Sequence, residues 1–207
     1  AYSTDNAETW THSLMIDGSN TDVLFTTNGN SVATNGSRWI AGGKSTNPLG
    51  YSDNNGQTWN IVNDPAIDNF TEVYSCHWDG KKFWIGGKAT GQKLAYSSNG
   101  LDWTQVPIGS YHVQARAFIS YDNVILIGGD TLGTYRTAIS IDNGNTFSGG
   151  ILASEIFTGP GRTIYGLARK YKYTPPPVPY FTTGVSMPIK IGVSDSQSSF
   201  RLGRMAI

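Results

Sequence analysis

Residues 84–88 read WIGGK, and the same motif occurs as WIAGGK at residues 39–44 and as ILIGGD at residues 125–130. Counted at the first glycine of each pair, the three copies are 44 and 42 residues apart. Each copy is a short apolar run that ends in two glycines and a charged residue, which is typical of a strand followed by a loop. The motif therefore indicates that one supersecondary unit is repeated along the chain.

Two further series of residues share this period. Tight turns precede the glycine motif at spacings of 44 and 43, at Asn35-Gly36, Asp79-Gly80 and Asp122-Asn123. Aromatic residues that follow short polar turns recur at spacings of 49, 44, 44 and 53, at Trp10, Trp59, Trp103, Phe147 and Phe200.

One repeat contains the pattern of four short strands. Residues 73–78 and 82–88 form a predicted hairpin about Asp79-Gly80, for which we expect a type I′ turn because both central residues of that turn favour positive φ. Residues 93–98 and a segment from Trp103 complete the unit. No segment shows a sustained apolar period of 3.6 residues, so we expect no helix of consequence. Four strands in about 40–45 residues are typical of one β-propeller blade.

The chain is accordingly predicted to be one all-β domain, a propeller of four-stranded antiparallel blades. A β-sandwich is the alternative, because it also has many short strands, but it does not explain three repeat series in register. The strand count leaves a half-blade, so we expect either a fragment of a larger ring or a half-blade that assembly with another chain completes. We place the half-blade at 1–14 and the first to fourth blades at 15–62, 63–106, 107–151 and 152–207.

The polar turns before the aromatic residues resemble the Asp-box, the bacterial neuraminidase repeat S-x-D-x-G-x-T-W. The copy at residues 140–147 differs only in Phe147, the copy at 52–59 has Asn in place of Asp, the copy at 3–10 has Ala in place of Gly, and the copy at 97–103 is one residue shorter. The residues assigned to the boxes are Ser3, Asp5, Trp10, Ser52, Asn54, Gly56, Trp59, Ser97, Asn99, Gly100, Trp103, Ser140, Asp142, Gly144 and Phe147.

The resemblance implies a structural role for these turns. A short Asp or Asn side chain closes the turn, glycine supplies positive φ, and the aromatic side chain packs beneath. In the family, the boxes lie at the periphery, away from the ligand-binding face. The texture of the sequence is also similar to that of propellers from large DNA viruses and microbial surface proteins, which implies a virion or extracellular location.

Composition excludes several classes of function. The 207 residues carry 15 basic and 15 acidic side chains, so the electrostatic basis for binding nucleic acid is missing. No apolar run approaches the roughly 20 residues of a membrane helix. One cysteine, Cys76, excludes an internal disulfide and a multi-cysteine metal site, and no motif indicates a metal or cofactor.

Catalysis is not predicted, and a glycoside hydrolase of the sialidase or glucanase type is the alternative. A sialidase-like chain would show converging arginines, but the seven arginines do not recur at one blade position. The only glutamates are Glu8, Glu72 and Glu155, and no carboxylate pair of the kind that glycosidases need is identifiable. His77 is interpreted as a packed, hydrogen-bonded strand residue.

A ligand is expected on the loops that differ between blades, because variable loops on a repeated scaffold usually carry function. We expect a neutral partner, glycan or protein, and binding that depends weakly on salt. Residues 171–180, which contain four prolines, are a further candidate contact arm. The candidate ligand-binding residues are Lys44, Lys88, Asp130, Arg136, Tyr111 and His112.

Overall fold

A computed structural model of the chain describes residues 1–16, 25, 27–108, 114–130, 137–149 and 164–167. All regular secondary structure in these residues is β. The strands are β1 (Leu14–Ile16), β2 (Asn28–Thr34), β3 (Trp39–Lys44), β4 (Leu49–Ser52), β5 (Thr58–Ile61), β6 (Phe70–Trp78), β7 (Phe83–Ala89), β8 (Leu94–Ser97), β9 (Thr104–Gln105), β10 (Gln114–Tyr121), β11 (Val124–Asp130), β12 (Thr137–Ser140) and β13 (Ser148–Gly149).

Three successive antiparallel sheets of four strands each are formed, and in each sheet the strands follow chain order. The first sheet is β2–β5, the second is β6–β9 and the third is β10–β13. This order lacks the Greek-key crossovers of the sandwich alternative. The prediction of an all-β fold of four-stranded antiparallel blades is therefore confirmed, and the described part of the chain is a partial β-propeller. The blade boundaries stay predictions, and residues 152–207 lie outside the described residues except for 164–167.

The first strands of the three sheets are neighbours. Strand β6 contacts both β2 and β10, and one antiparallel pair, Lys44 with Glu72, joins the first sheet to the second. The strands that open each blade therefore lie side by side.

The hydrophobic core lies between successive sheets. One cluster joins Ile40 and Leu49 of the first sheet to Phe83 and Ile85 of the second. A second cluster joins Trp84 of the second sheet to residues of the third sheet. The second sheet therefore buries its two faces against two different neighbours, which is why its inner strand β7 is apolar on both faces.

The repeated glycine pair permits this close stacking. A Cβ atom added at Gly42 would lie 2.3 Å from Cγ1 of Val73, and one added at Gly86 would lie 2.3 Å from Cβ of Ala115. Both distances are far inside van der Waals contact. A Cβ at Gly128 would likewise lie 2.7 Å from Cγ2 of Ile164, so Ile164 occupies the position that Val73 and Ala115 hold in the earlier repeats.

The turn about Asp79-Gly80 differs from the expected type I′ hairpin. Gly80 has a φ of 97°, but Asp79 is not among the residues with positive φ. Its Oδ1 instead accepts hydrogen bonds from the main-chain nitrogens of Lys81 and Lys82, both at 2.7 Å. This Asx-type bonding closes a four-residue connection, so the type I′ prediction is wrong. The turn at Asn35-Gly36 is built in the same way.

The outer edges of the first two sheets are covered. Strand β1 pairs in parallel with β5, which the sequence pattern did not predict. At the second sheet, Asp64 Oδ2 accepts a hydrogen bond from the main-chain nitrogen of Trp103 at 3.0 Å, and Gln105 Nε2 donates to the carbonyl of Ala66 at 2.9 Å. In both cases the segment that precedes a blade covers the fourth strand of that blade, which protects an edge that could otherwise pair with another chain.

Candidate functional site

A β-bulge interrupts the first strand of each sheet at an equivalent position. The register shifts between Gly29 and Ser31 in β2, between Val73 and Ser75 in β6, and between Ala115 and Ala117 in β10. A bulge leaves one residue out of the ladder and redirects its side chain, and bulges are frequent next to functional sites. The residues left out of the three ladders are Asn30, Tyr74 and Arg116.

Two of the bulge residues, Tyr74 and Arg116, pack together with a fourth residue, Tyr165. The guanidinium carbon of Arg116 lies 3.8 Å from the ring centroid of Tyr74 and 5.3 Å from that of Tyr165. Tyr165 follows Ile164, whose side chain contacts Gly128 as Val73 contacts Gly42, so Tyr165 continues the series into the next repeat. We call Asn30, Tyr74, Arg116 and Tyr165 the bulge row.

Arg116 is fixed by a carboxylate as well as by the rings. Its Nε donates to Asp130 Oδ2 at 2.7 Å, and both side chains are partly buried. Burial disfavours the charged guanidinium, but the Asp130 hydrogen bond and charge outweigh it, so the pKa of Arg116 is raised. Arg116 therefore remains a cation, and its contacts with Tyr74, Tyr165 and Asp130 fix its orientation.

The other end of the bulge row is held by Glu72. The amide nitrogen of Asn30 donates to Glu72 Oε1 at 3.2 Å and to the carbonyl of Val73 at 3.0 Å. Burial raises the pKa of Tyr74, and the negative charge of Glu72 adds to the increase. Tyr74 is thus a neutral phenol between an anchored amide and an anchored cation.

Three of the predicted ligand-binding residues lie at this end of the sheets. Lys44 ends β3 and lies opposite Glu72, and Lys88 of β7 also lies opposite Glu72; both lysine side chains are exposed. Asp130 ends β11 and binds Arg116. Arg136, Tyr111 and His112, and the proline-rich arm at 171–180, lie outside the described residues.

Sequence reasoning missed the bulge row itself. Asn30, Tyr74 and Arg116 are spaced 44 and 42 residues apart, which is the period of the glycine motif. That spacing was a usable signal, but the residues differ in type, so a search for repeated residues passes over them.

The opposite edges of the sheets carry the polar turns, which share one hydrogen-bond pattern. In the turn at residues 140–147, Ser140 Oγ donates to Asp142 Oδ1 at 2.7 Å, and the main-chain nitrogens of Gly144 and Thr146 donate to Ser140 Oγ and Asp142 Oδ1 at 2.8 and 2.9 Å. The turns at 3–9, 52–58 and 97–102 repeat this pattern around their serine and Asp or Asn side chains.

The aromatic residues after these turns do not all pack as expected. Trp59 is 7% exposed and Trp103 is 6% exposed, and their indole nitrogens donate to the carbonyls of Gly56 and Gly100. Trp10, however, is 63% exposed, so its expected burial is wrong. The described N-terminal hairpin has one isolated bridge, between Tyr2 and Thr11, and no four-stranded sheet on which the indole could pack.

The turns also join neighbouring blades. Arg38 of the first blade makes two hydrogen bonds to Asp53, at 2.6 and 2.8 Å, and its Nη1 donates to the carbonyl of Asn99 in the second blade at 2.6 Å. A Cβ added at Gly144 would lie 2.1 Å from the Trp84 ring of the preceding blade. These contacts hold the turns against the neighbouring blades.

His77 and Cys76 of β6 are packed within the protein. His77 Nε2 lies 2.8 Å from Ser120 Oγ, and its ring stacks on Phe118 with centroids 5.8 Å apart, as the sequence interpretation expected. Burial lowers the pKa of His77 and raises that of the Cys76 thiol to about 12. Within the described ranges, no group of three or more His, Cys, Asp or Glu side chains is placed to hold a metal ion, and no helix is long and apolar enough to cross a membrane.

Comparison with known proteins finds similarity only among solved structures. No family model matches the chain, and no curated protein matches it. A structure of YCF48 bound to D1 peptide is 14% identical with a TM-score of 0.47, and the match covers 60% of this chain and 41% of that one. The GH74 enzyme of Niastella koreensis is 20% identical with a TM-score of 0.48, covering 71% of this chain and 20% of that one.

The computationally designed Ika4 protein is 11% identical with a TM-score of 0.48, and its match covers 78% of this chain and 89% of the designed one. The match spans less than half the length of YCF48 and of the GH74 enzyme. Assignment to the propeller class rests on the strand order and on the stacking of the three sheets.

Proposed function

We propose that this protein is a non-catalytic binding module whose ligand is a protein segment held against the bulge row. The observation that carries the proposal is that one bulge position, repeated on three neighbouring strands, holds Asn30, Tyr74 and Arg116, with Tyr165 following in the next repeat, while the glycines beside it are kept. Variation at one position of a repeated framework is expected where a ligand is contacted.

The residue types at this face favour a protein partner. Tyrosine and arginine are enriched at the centres of protein interfaces and dominate their binding energy. Tyr165 is 72% exposed and offers a ring face to a ligand, while Tyr74 and Arg116 behind it are already fixed. A rigid platform loses little conformational entropy on binding, which supports affinity.

We also propose that the polar turns are Asp-boxes and that the protein acts on a virion or extracellular surface. The hydrogen bonds of the serine and of the Asp or Asn side chain, which all four turns share, support the first part. For the second, the support is the similarity of the sequence texture to viral and microbial surface propellers.

Assembly with another chain, or with further blades, is proposed at the first sheet. Val32 of β2 is 58% exposed, whereas Cys76, at the matching place in β6, is partly buried and lies against Gly42 of the preceding sheet. Trp59 and Ala41 line a groove on the same face as Val32. A neighbouring blade would cover this face as the first sheet covers the second.

A glycoside hydrolase is the second candidate, favoured by one observation. Glu72 and Asp130 both lie close enough to Tyr74 for their charges to act on its pKa, so two carboxylates flank the bulge row. Asn30 and Arg116 already bind these carboxylates, which argues for structural roles. The wild-type protein can be assayed for hydrolysis of glucans and sialosides. Activity that is abolished both by Glu72→Gln and by Asp130→Asn would favour the glycoside hydrolase.

The binding proposal is tested by selecting ligands and mapping their contact. A random dodecapeptide display library and a glycan array are offered to the protein, and the affinity of a selected ligand is measured for two variants. Lys44→Ala/Lys88→Ala should weaken binding about 3- to 30-fold, because both lysines flank the proposed face. The matched control is Lys81→Ala, an exposed lysine in the opposite turn, which should leave the affinity unchanged.

Melting temperatures of all variants should stay within a few degrees. If the affinity falls in the Lys81 variant and not in the Lys44/Lys88 variant, the ligand binds the turn edge and the proposal is wrong. If ligands are found on the glycan array and none in the peptide library, the partner is a sugar and the proposal of a protein partner is wrong.

A further inference from the structure

The guanidinium group of Arg116 contacts two aromatic rings and one carboxylate. The rings of Tyr74 and Tyr165 lie 3.8 and 5.3 Å from its guanidinium carbon, and its Nε donates a hydrogen bond to Asp130 Oδ2. In the described residues, the hydrogen bond of Arg116 to a carboxylate runs through Nε, and a hydrogen bond with the Tyr74 side chain uses a further part of its donor capacity. A guanidinium carries five N–H donors, so donors remain for a ligand. A guanidinium held in this way can offer its terminal donors to a ligand.

Arg38 shows what a purely structural arginine looks like in this protein. It uses Nε and Nη2 on Asp53 and Nη1 on the carbonyl of Asn99. All three of its nitrogens are therefore engaged within the protein. Arg38 thus donates to Asp53 and Asn99 through three nitrogens, whereas Arg116 donates to its carboxylate partner through Nε.

We propose that the terminal nitrogens of Arg116 bind a carboxylate of an acidic peptide, with the exposed ring of Tyr165 contacting the adjoining peptide residue. This inference rests on the binding function proposed above and specifies its ligand. Arginine binds carboxylates with strong, charge-assisted hydrogen bonds that also fix direction. Stacking on tyrosine orients the guanidinium before the ligand arrives, so less rotamer entropy is lost on binding.

Charges around the bulge row support an anionic ligand. Lys44 and Lys88 are exposed beside Glu72, and the Glu72 carboxylate already accepts a hydrogen bond from Asn30. Asp130 is engaged by Arg116. Among the described residues, the cations Lys44, Lys88 and Arg116 thus lie around the anions Glu72 and Asp130, and Lys93 and Asp68 lie in neighbouring loops at the same end. The acidic ligand departs from the neutral partner expected from the zero net charge, because contact energies depend on local charges and not on their sum.

Two matched dodecapeptide libraries test the proposal. One contains Asp and Glu as its charged residues, and the other replaces each Asp by Asn and each Glu by Gln. We expect binders from the acidic library alone. Converting the acidic residue of a selected peptide to its amide should weaken binding about 10- to 100-fold, the range of charge-assisted hydrogen bonds.

Protein variants locate the contact. Arg116→Gln should reproduce the loss seen with the amide peptide, and in that variant the acidic and amide peptides should bind equally. Tyr165→Ala changes an exposed side chain, so the fold should be retained while the affinity falls. Arg38→Gln is the matched control, because it should lower the melting temperature and leave peptide affinity unchanged.

Each further outcome decides against the proposal. If peptides from the amide library bind the same face and are insensitive to Arg116→Gln, the carboxylate inference is wrong and the peptide-binding function stands. A third outcome is that neither library yields a binder, but the protein captures glucuronic-acid oligosaccharides and Arg116→Gln abolishes this capture. The bound carboxylate would then belong to a sugar, and the proposal of a peptide ligand would be wrong. Absence of binding to peptides and glycans alike would overturn both this inference and the proposed function.

Discussion

Trp59, Trp103 and Trp10 occupy equivalent sequence positions, but only the first two are buried. Replacing Trp59 or Trp103 by alanine should lower the free energy of unfolding by about 3–5 kcal/mol, the usual range for a large buried aromatic residue. Trp10→Ala should change it by less than about 0.5 kcal/mol, because the indole is mostly in solvent. Chemical denaturation measures all three, and equal losses at Trp59 and Trp10 would contradict the packing described here.

Asp142 should make the stability of its turn depend on pH. Hydrogen bonds from Thr146 and then Ser140 lower the pKa of Asp142 from 3.8 to about 2. A lowered folded-state pKa adds stability that is complete above the unfolded value and is lost as pH falls through the folded value. Wild-type protein should therefore lose stability between about pH 4 and pH 2.

Asp142→Asn provides the matched variant, because the turn at residues 52–58 already holds an asparagine at this position. Its stability in urea should fall less than that of the wild type over the same pH interval. Asp5, whose pKa is also lowered to about 2, by Ser3 and Thr9, contributes in both proteins and leaves a residual slope. Identical pH profiles for the two proteins would show that Asp142 does not bear the hydrogen bonds described.

At the scale of the element, the glycine pair is a steric requirement of blade stacking. Gly86→Ala would place Cβ 2.3 Å from Cβ of Ala115 and 2.8 Å from its carbonyl oxygen. Because backbone of the next strand must move, we expect a loss of at least about 2 kcal/mol in unfolding free energy. Gly91→Ala is the control: nothing lies within 4 Å of its added Cβ, so a change below about 0.5 kcal/mol is expected. A neutral Gly86→Ala variant would mean that the sheets are not stacked this closely.

The sequence patterns did not predict the turn type of one hairpin or the strand that covers the edge of the first sheet. The pair Asp79-Gly80 located the turn correctly, but not its type, because side-chain bonds from Asp79 select a four-residue connection. The parallel strand β1 was not predicted at all, since three residues carry no usable period. Its pairing depends on β5, which is more than forty residues further along the chain.

For the whole molecule, the repeat period was enough to predict blades, their strand number and their antiparallel order. The candidate site was predicted only in part. Lys44, Lys88 and Asp130 were found because they follow a repeated glycine pair, whereas Tyr74 and Arg116 were missed because a bulge position is marked by backbone register and not by residue type. Contacts between blades, such as that of Arg116 with Tyr74, arise only when the sheets stack.

Ligand-induced chemical-shift changes in a ¹⁵N-labelled sample test the central claim, that the ligand binds across the first strands of the blades. On titration with a selected acidic dodecapeptide, the largest changes should appear at the amides of Tyr74, Lys88 and Arg116, together with the side-chain Nε of Arg116. The amides of Lys81 and Asn143, at the opposite ends of the same sheets, should not move. Changes confined to Lys81 and Asn143, with the bulge row unperturbed, would contradict the account.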